Sequence, residues 1–160
     1  MSVVTEEIRA NASEIYKGEE ICQEQTKLFL TEIGLPSRIL PLKDIEECGL
    51  VRDTGFIWLK QKQKIEYKFE KIGTIAQYAS EITAYAEPKK LKRITGIKTK
   101  ELLMWITVSE VKVDDSSIGK LTFKSSTGLH RSFPISAFEV TKPEEVKGTK
   151  SKSNTSSEVK

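Results

Sequence analysis

The chain has 160 residues, of which 38% are hydrophobic and 31% are charged, and its formal net charge is +3 at pH 7. This length fits one domain, and the composition is near the globular average, which excludes a wholly disordered chain and a membrane-spanning one. The small net charge does not by itself indicate a nucleic-acid or membrane partner.

The first 34 residues are predicted to be helical. Apolar residues recur there at helical spacing, at Val4, Ile8, Ala12 and Ile15. Gly18 marks a break or a kink, and Gly34-Leu35-Pro36 is a typical helix end, so the pattern fits either one bent helix or two helices. Because an isolated amphipathic helix is marginal in water, residues 1–34 are expected to pack on a sheet formed by residues 35–140.

After Pro36 the hydrophobic period changes from 3.6 to 2, which is typical of strands with one solvent-facing side. Two runs, Phe56–Leu59 and Leu102–Val108, are apolar on both faces and are predicted to be central strands covered on both sides. Turn-forming residues separate seven or eight short strands. The predicted fold is therefore mainly β, an antiparallel barrel-like or sandwich domain with an N-terminal amphipathic helix or bent helix pair.

The last twenty residues, 141–160, consist almost entirely of Lys, Ser, Thr and Glu and are predicted to form a disordered polar tail. Two cysteines, Cys22 and Cys48, are too few for a disulfide framework, which favours a reducing compartment. The N-terminus has no apolar signal segment and the sequence has no lipidation motif or membrane span. A cytoplasmic location is therefore expected.

The sequence contains no known catalytic motif, and it predicts neither a metal site nor a cofactor. Its single histidine, His130, excludes two-histidine metal sites. The one arrangement that fits a hydrolase places His130 near three serines, Ser125, Ser126 and Ser132. Serines in such a polar segment more often form turns.

The strongest charge feature is the run Lys89–Lys100, with six basic residues and no acidic one. Three interpretations remain open: a site for an anionic lipid head group or nucleic acid, a lysine-rich edge strand, or a surface facing the acidic N-terminal helix. Aromatic side chains are absent between Glu87 and Glu101, which argues against a specific nucleic-acid partner.

Aromatic residues lie on the predicted strand faces, where core packing is the simplest explanation. A barrel of about eight strands can nevertheless enclose one small ligand. Four aromatic and four basic residues are the candidates for ligand binding: Trp58, Tyr67, Tyr78, Trp105, Lys89, Lys90, Lys92 and Arg93.

Four segments resemble the Domain of Unknown Function 538 family of land plants, and they look like its intracellular branch without a signal peptide. The segments are Gly34–Pro41, Lys89–Gly96, Lys100–Ile106 and Arg131–Phe138. The resemblance implies a small barrel-like β domain with an N-terminal helix and no agreed activity. Proposals for such proteins include binding lipids, binding or hydrolysing chlorophyll, and a loose link to stress responses.

The leading functional hypothesis is non-enzymatic binding of an apolar or amphipathic small molecule, either a lipid or a chlorophyll-like compound. The alternatives are a protein-interaction module without a ligand and a weak hydrolase acting on a lipid or chlorophyll-like ester.

Overall fold

The structure is a computed structural model and describes residues 3–114 and 119–138. The predicted polar tail, 141–160, lies outside the described residues. In the described part of the chain, no helix is long and apolar enough to cross a membrane.

The N-terminal segment forms two helices separated by a strand: α1 (Glu6–Ala10), β1 (Glu14–Lys17) and α2 (Glu19–Ile33). The Thr5 hydroxyl caps α1 by accepting the Ile8 backbone N–H. Gly18, with φ 107°, reverses the chain between β1 and α2, and Gly34, with φ 91°, ends α2. The prediction of helix through Ile15 is therefore wrong, because β1 gains its backbone hydrogen bonds from a neighbouring strand.

Eight further strands follow, and a short 3₁₀ turn lies at each end of this region: Ser37–Ile39 precedes the strands and Ile135–Phe138 follows them. The strands are β2 (Ile45–Val51), β3 (Phe56–Gln61), β4 (Ile65–Phe69), β5 (Thr74–Glu87), β6 (Lys90–Glu101), β7 (Met104–Asp114), β8 (Lys120–Ser125) and β9 (His130–Pro134).

All nine strands belong to one antiparallel sheet. Eight of them follow the order β1-β2-β3-β5-β6-β7-β8-β9, and β4 lies off this path. The long β5 pairs with β4 through its first residues and with β3 through its last. In the described chain β1 and β9 are not paired with each other, so the sheet is not closed. The prediction of a mainly antiparallel β fold is confirmed.

Apolar side chains are buried on both faces of β3. Ile57 and Leu59 belong to the larger core, which also contains Leu30 of α2. Phe56 and Trp58 belong to a second cluster against which α1 packs. This confirms the prediction of a central strand at Phe56–Leu59.

The second predicted central strand, Leu102–Val108, is wrong at its start. Leu102 and Leu103 form the loop between β6 and β7, where they are 94% and 92% exposed. Apolar sequence alone does not reveal a turn when the turn residues are themselves leucines. The strand begins at Met104, and Trp105 on it is only half-buried.

The basic run forms most of β6, which lies between β5 and β7, so the edge-strand interpretation is wrong. Lys90 and Lys92 pair with Glu87 at the end of β5 rather than with the acidic helix. Lys89 does reach α2, because its backbone N–H donates to the Ile33 carbonyl at 2.5 Å.

Candidate functional site

Side chains fill the space enclosed by the curved sheet. The void there measures about 20 Å³, little more than a single water molecule occupies, and its walls include Tyr78, Leu91 and Phe123. Tyr78 is fully buried, and its hydroxyl donates to the Ile39 carbonyl at 2.8 Å. Within the described residues, this void is too small to be the ligand cavity that an eight-stranded barrel would allow.

A cleft instead lies between α2 and the first three strands of the sheet. Its narrow part has a volume of about 80 Å³, and Leu28, Phe29, Leu50 and Ile57 contribute to its apolar lining. These side chains meet because the inward positions of α2 recur every three or four residues, while β2 and β3 present alternate residues to the helix.

The narrow part adjoins a wider mouth of about 330 Å³ that extends towards the end of β5. Phe29, Glu32, Leu50 and Arg52 line both volumes, while Ala86 and Pro88 line the mouth. The cleft and its mouth together therefore offer an apolar floor with a polar rim, which is the usual arrangement of a small-molecule site.

The rim carries paired charges of both signs. The Arg52 guanidinium lies 3.1 Å from the Glu14 carboxylate and 3.6 Å from that of Glu32. A third carboxylate at the mouth, Glu87, is held by Lys92. Because Arg52, Lys90 and Lys92 are all paired with carboxylates, the described part of the rim is poorly suited to an anionic head group.

The Cys48 thiol lies in the lining of the narrow part and is uncharged at neutral pH. Burial raises its pKa to about 12, and the neighbouring Cys22 thiol adds to the shift. A thiol with a raised pKa is a poor nucleophile, so the cleft holds no activated cysteine.

Of the eight residues predicted to bind a ligand, Trp58 is the one that lines the narrow part of the cleft, although its ring packs behind Gly49 in the cluster that also contains Phe56. The ring is completely buried against Gly49, and its Nε1 donates to Glu47 Oε2 at 2.8 Å. Arg9 on α1 donates to both oxygens of the same carboxylate. This hydrogen bonding, above all that of Arg9, lowers the pKa of Glu47. The hydrogen bonds of Trp58 and Arg9 to Glu47 thus link α1 to the sheet.

Lys90 and Lys92 reach the mouth of the cleft by pairing with Glu87, while the other predicted residues do not line the cleft. Tyr78 lies in the core, Tyr67 is 37% exposed on β4, and Trp105 lies on β7 with the Lys100 ammonium 5.8 Å from its ring centroid. Arg93 stacks over Tyr85. The four basic candidates lie at and after the β5–β6 turn.

His130 is exposed, and within the described residues it has no hydrogen bond or ion pair with a serine or a carboxylate. The Ser132 hydroxyl bonds Thr122, and that of Ser125 accepts backbone N–H groups within its own turn. The geometry gives no support to the hydrolase alternative. Nor do the described residues contain a group of three or more His, Cys, Asp or Glu side chains that could hold a metal.

The sequence does not reveal the cleft residues, because they come together only through contacts between distant segments. In the sequence Leu28 and Phe29 show only helical spacing, and nothing singles out Arg52. One signal for the cleft was available, an apolar stripe on α2 that continues at Leu28. In the structure the Leu28 side chain is 56% exposed.

Comparison with known proteins identifies the family but not an activity. No curated protein and no solved structure matches the chain. The family model described as "Protein of unknown function, DUF538" matches residues 26–139, which include most of α2 and all strands after β1. The segments that resemble this family in sequence thus fall within a single continuous match, and the chain belongs to the DUF538 family.

Proposed function

We propose that the protein binds, without chemical conversion, a small apolar or amphipathic molecule in the cleft between α2 and the sheet. The observation that carries the proposal is the joining of an apolar volume of about 80 Å³ to a mouth of about 330 Å³, with Phe29 and Leu50 lining both. Small-molecule sites are typically concave, mostly apolar and rimmed by a few polar groups.

The size and charge of the cleft favour one type of ligand. The narrow part is smaller than the cavity of about 150 Å³ that accepts benzene in an engineered protein, so it fits part of a flexible chain better than a rigid ring system. The charges of the rim are paired and balance each other, which favours an uncharged polar end over an acid. A lipid-like chain with a neutral head therefore fits better than a chlorophyll-like macrocycle.

A fluorescent apolar probe tests this proposal directly. Tryptophan emission gives a mixed signal, because Trp58 lines the cleft with a ring packed behind Gly49 and Trp105 lies on β7, outside the cleft. Parinaryl alcohol, an uncharged linear polyene chain, should therefore gain fluorescence with the protein, and a saturated long-chain alcohol should displace it.

The matched variants are Leu28→Ser and Ile21→Ser. Both residues are exposed apolar side chains of α2, at 56% and 40%, but only Leu28 lines the cleft. Leu28→Ser should weaken probe binding about threefold to tenfold, because it removes part of the apolar contact, and Ile21→Ser should leave it unchanged. Equal affinity in the two variants, or no fluorescence gain with the unmodified protein, would contradict the proposal.

The second candidate is a protein-interaction module without a ligand. It is favoured by the filled interior, where the void measures about 20 Å³. Failure of the apolar probe to bind, with the chain fully folded, would favour this candidate over ligand binding.

A further inference from the structure

Three turns lie at one end of the sheet. They join β4 to β5, β6 to β7 and β8 to β9. The turns stay close because the Ser126 N–H donates to the Thr107 carbonyl at 3.2 Å and the Arg131 guanidinium pairs with Glu101. This end of the sheet is remote from the cleft in strand order, since the cleft is formed by β1 to β3.

The middle turn exposes apolar side chains to an unusual degree. Leu102 and Leu103 are 94% and 92% exposed and Met104 is 63% exposed; we call these three residues the hairpin tip. Leu129 in the neighbouring turn is 52% exposed. Single exposed apolar residues are common, but contiguous large ones that project from a turn indicate an interaction surface.

The geometry of the turn does not explain why leucine stands at positions 102 and 103. Leu102 has φ 58°, whereas Leu103 is not in the positive-φ region, so the loop follows the type II′ pattern, in which glycine is preferred at the first position. A leucine at positive φ is unfavourable, because its Cβ crowds the backbone. The leucines thus bring no benefit to the turn itself.

The surroundings of the hairpin tip are cationic. Lys100 lies opposite Trp105 on the outer face of the β6–β7 hairpin, and Lys98 lies opposite Thr107. At this end of the sheet six basic side chains accompany four acidic ones: Lys68, Lys71, Lys98, Lys100, Lys124 and Arg131, with Glu66, Glu70, Glu101 and Glu110. The half-buried indole of Trp105 lies immediately behind the apolar residues.

We propose that the hairpin tip inserts into the headgroup region of a membrane that contains anionic lipid. In this arrangement Leu102, Leu103 and Met104 enter the acyl boundary, Trp105 lies at the interface that tryptophan prefers, and Lys98 and Lys100 contact acidic headgroups.

The shape of the surface favours a bilayer over a protein partner. A stable protein interface buries about 800 Å² on each partner. The hairpin tip instead projects from a two-residue loop, and the large exposed apolar side chain in the neighbouring turn is Leu129. A bilayer surrounds such a projection on all sides and needs no complementary shape.

Co-sedimentation with vesicles tests the proposal. The full chain should bind vesicles of phosphatidylcholine with about one third phosphatidylserine more tightly than vesicles of phosphatidylcholine alone. The test variant combines Leu102→Gly with Leu103→Ser, which gives the loop the glycine that its geometry prefers. Its melting temperature should therefore not fall, while its affinity for the mixed vesicles should fall at least about tenfold.

Two further variants separate the apolar and charged contributions. Ile21→Ser removes an exposed apolar side chain far from the hairpin tip and should bind as the unmodified chain does. Lys98→Gln with Lys100→Gln should weaken binding to the mixed vesicles about fivefold per lysine. Quenching of Trp105 emission by lipids brominated in the acyl chain should accompany binding and disappear in the loop variant.

Two outcomes would overturn the proposal. If the unmodified chain binds neither kind of vesicle at low salt, the hairpin tip is not a membrane contact and a protein partner becomes the better hypothesis. If the loop variant binds the mixed vesicles as tightly as the unmodified chain, the contact lies elsewhere on the surface. Both outcomes are independent of the cleft, because none of the hairpin-tip residues lines it.

Discussion

Gly49 allows the Trp58 ring to lie flat against β2, and Gly49→Ala should destabilise the protein strongly. A Cβ added at Gly49 would lie 2.2 Å from both Cη2 and Cζ2 of the ring and 2.6 Å from Cε2. The ring cannot move aside easily, because it is completely buried and its Nε1 is hydrogen-bonded to Glu47. The new methyl group must therefore displace either the ring or the strand.

The expected cost combines two effects. Overpacking a well-filled core costs about 1–3 kcal/mol, and loss of a hydrogen bond to a charged partner costs about 1.5–3 kcal/mol. Since the ring retains part of its contacts, we expect the free energy of unfolding to fall by about 3–4 kcal/mol. For a chain of this size the melting temperature should fall by about 10 °C.

Urea denaturation of four proteins isolates the clash: the unmodified chain, Gly49→Ala, Trp58→Leu and the double variant. With the ring removed, alanine at position 49 should be neutral or stabilising by about 0.5 kcal/mol, because glycine is unfavourable in a strand interior. The effect of the substitution should thus change sign between the two backgrounds. If Gly49→Ala costs as much in the Trp58→Leu background as alone, contact with the ring is not the cause and the reasoning is wrong.

Three other predictions follow from buried polar groups. Glu47→Gln should lower the free energy of unfolding by about 1–2 kcal/mol at neutral pH. Because the pKa of Glu47 is lowered in the folded state, this difference should shrink as the pH falls below about 4.5, and a constant difference in denaturation curves down to about pH 3 would contradict it. The thiols of Cys22 and Cys48 should resist iodoacetamide at about pH 8 until the chain is unfolded, as mass spectrometry would show; rapid labelling of the folded protein would refute their burial. Tyr78→Phe should cost about 1–2 kcal/mol in urea denaturation because the Ile39 carbonyl loses its buried donor, and an unchanged midpoint would contradict this.

The fold class was predictable because burial in a sheet leaves a direct signature in the sequence. The fully apolar run of β3 reflects cover on both faces, whereas in β4 the alternating pattern corresponds to burial of Phe69 but not of Tyr67. The strand β1 left no such signature, because Glu14 and Tyr16 face α2 while Ile15 remains 36% exposed. Its conformation depends on pairing with β2, more than thirty residues away, which a local pattern does not contain.

The candidate sites were harder to predict for two different reasons. The cleft depends on contacts between α2 and strands β2 and β3, so Leu28 and Arg52 acquire their significance only from the tertiary structure. The hairpin tip was predicted wrongly because Leu102 and Leu103 look like core residues. The prediction rests on the rule that large apolar residues are buried, and both leucines violate it. Local violations of such rules are expected at functional sites, where other requirements outweigh stability.

Salt should separate the two proposed contacts. The cleft is apolar and its rim cation, Arg52, is already paired, so binding of an uncharged probe should change little between low and high ionic strength. The hairpin tip is accompanied by exposed lysines such as Lys98 and Lys100, whose attraction to acidic headgroups is screened over about 10 Å at 0.1 M salt. We therefore expect added salt to weaken binding to phosphatidylserine-containing vesicles severalfold while leaving probe binding in the cleft intact. If salt weakens both to the same extent, the two measurements report a single electrostatic contact, and the assignment of separate roles to the cleft and the hairpin tip is wrong.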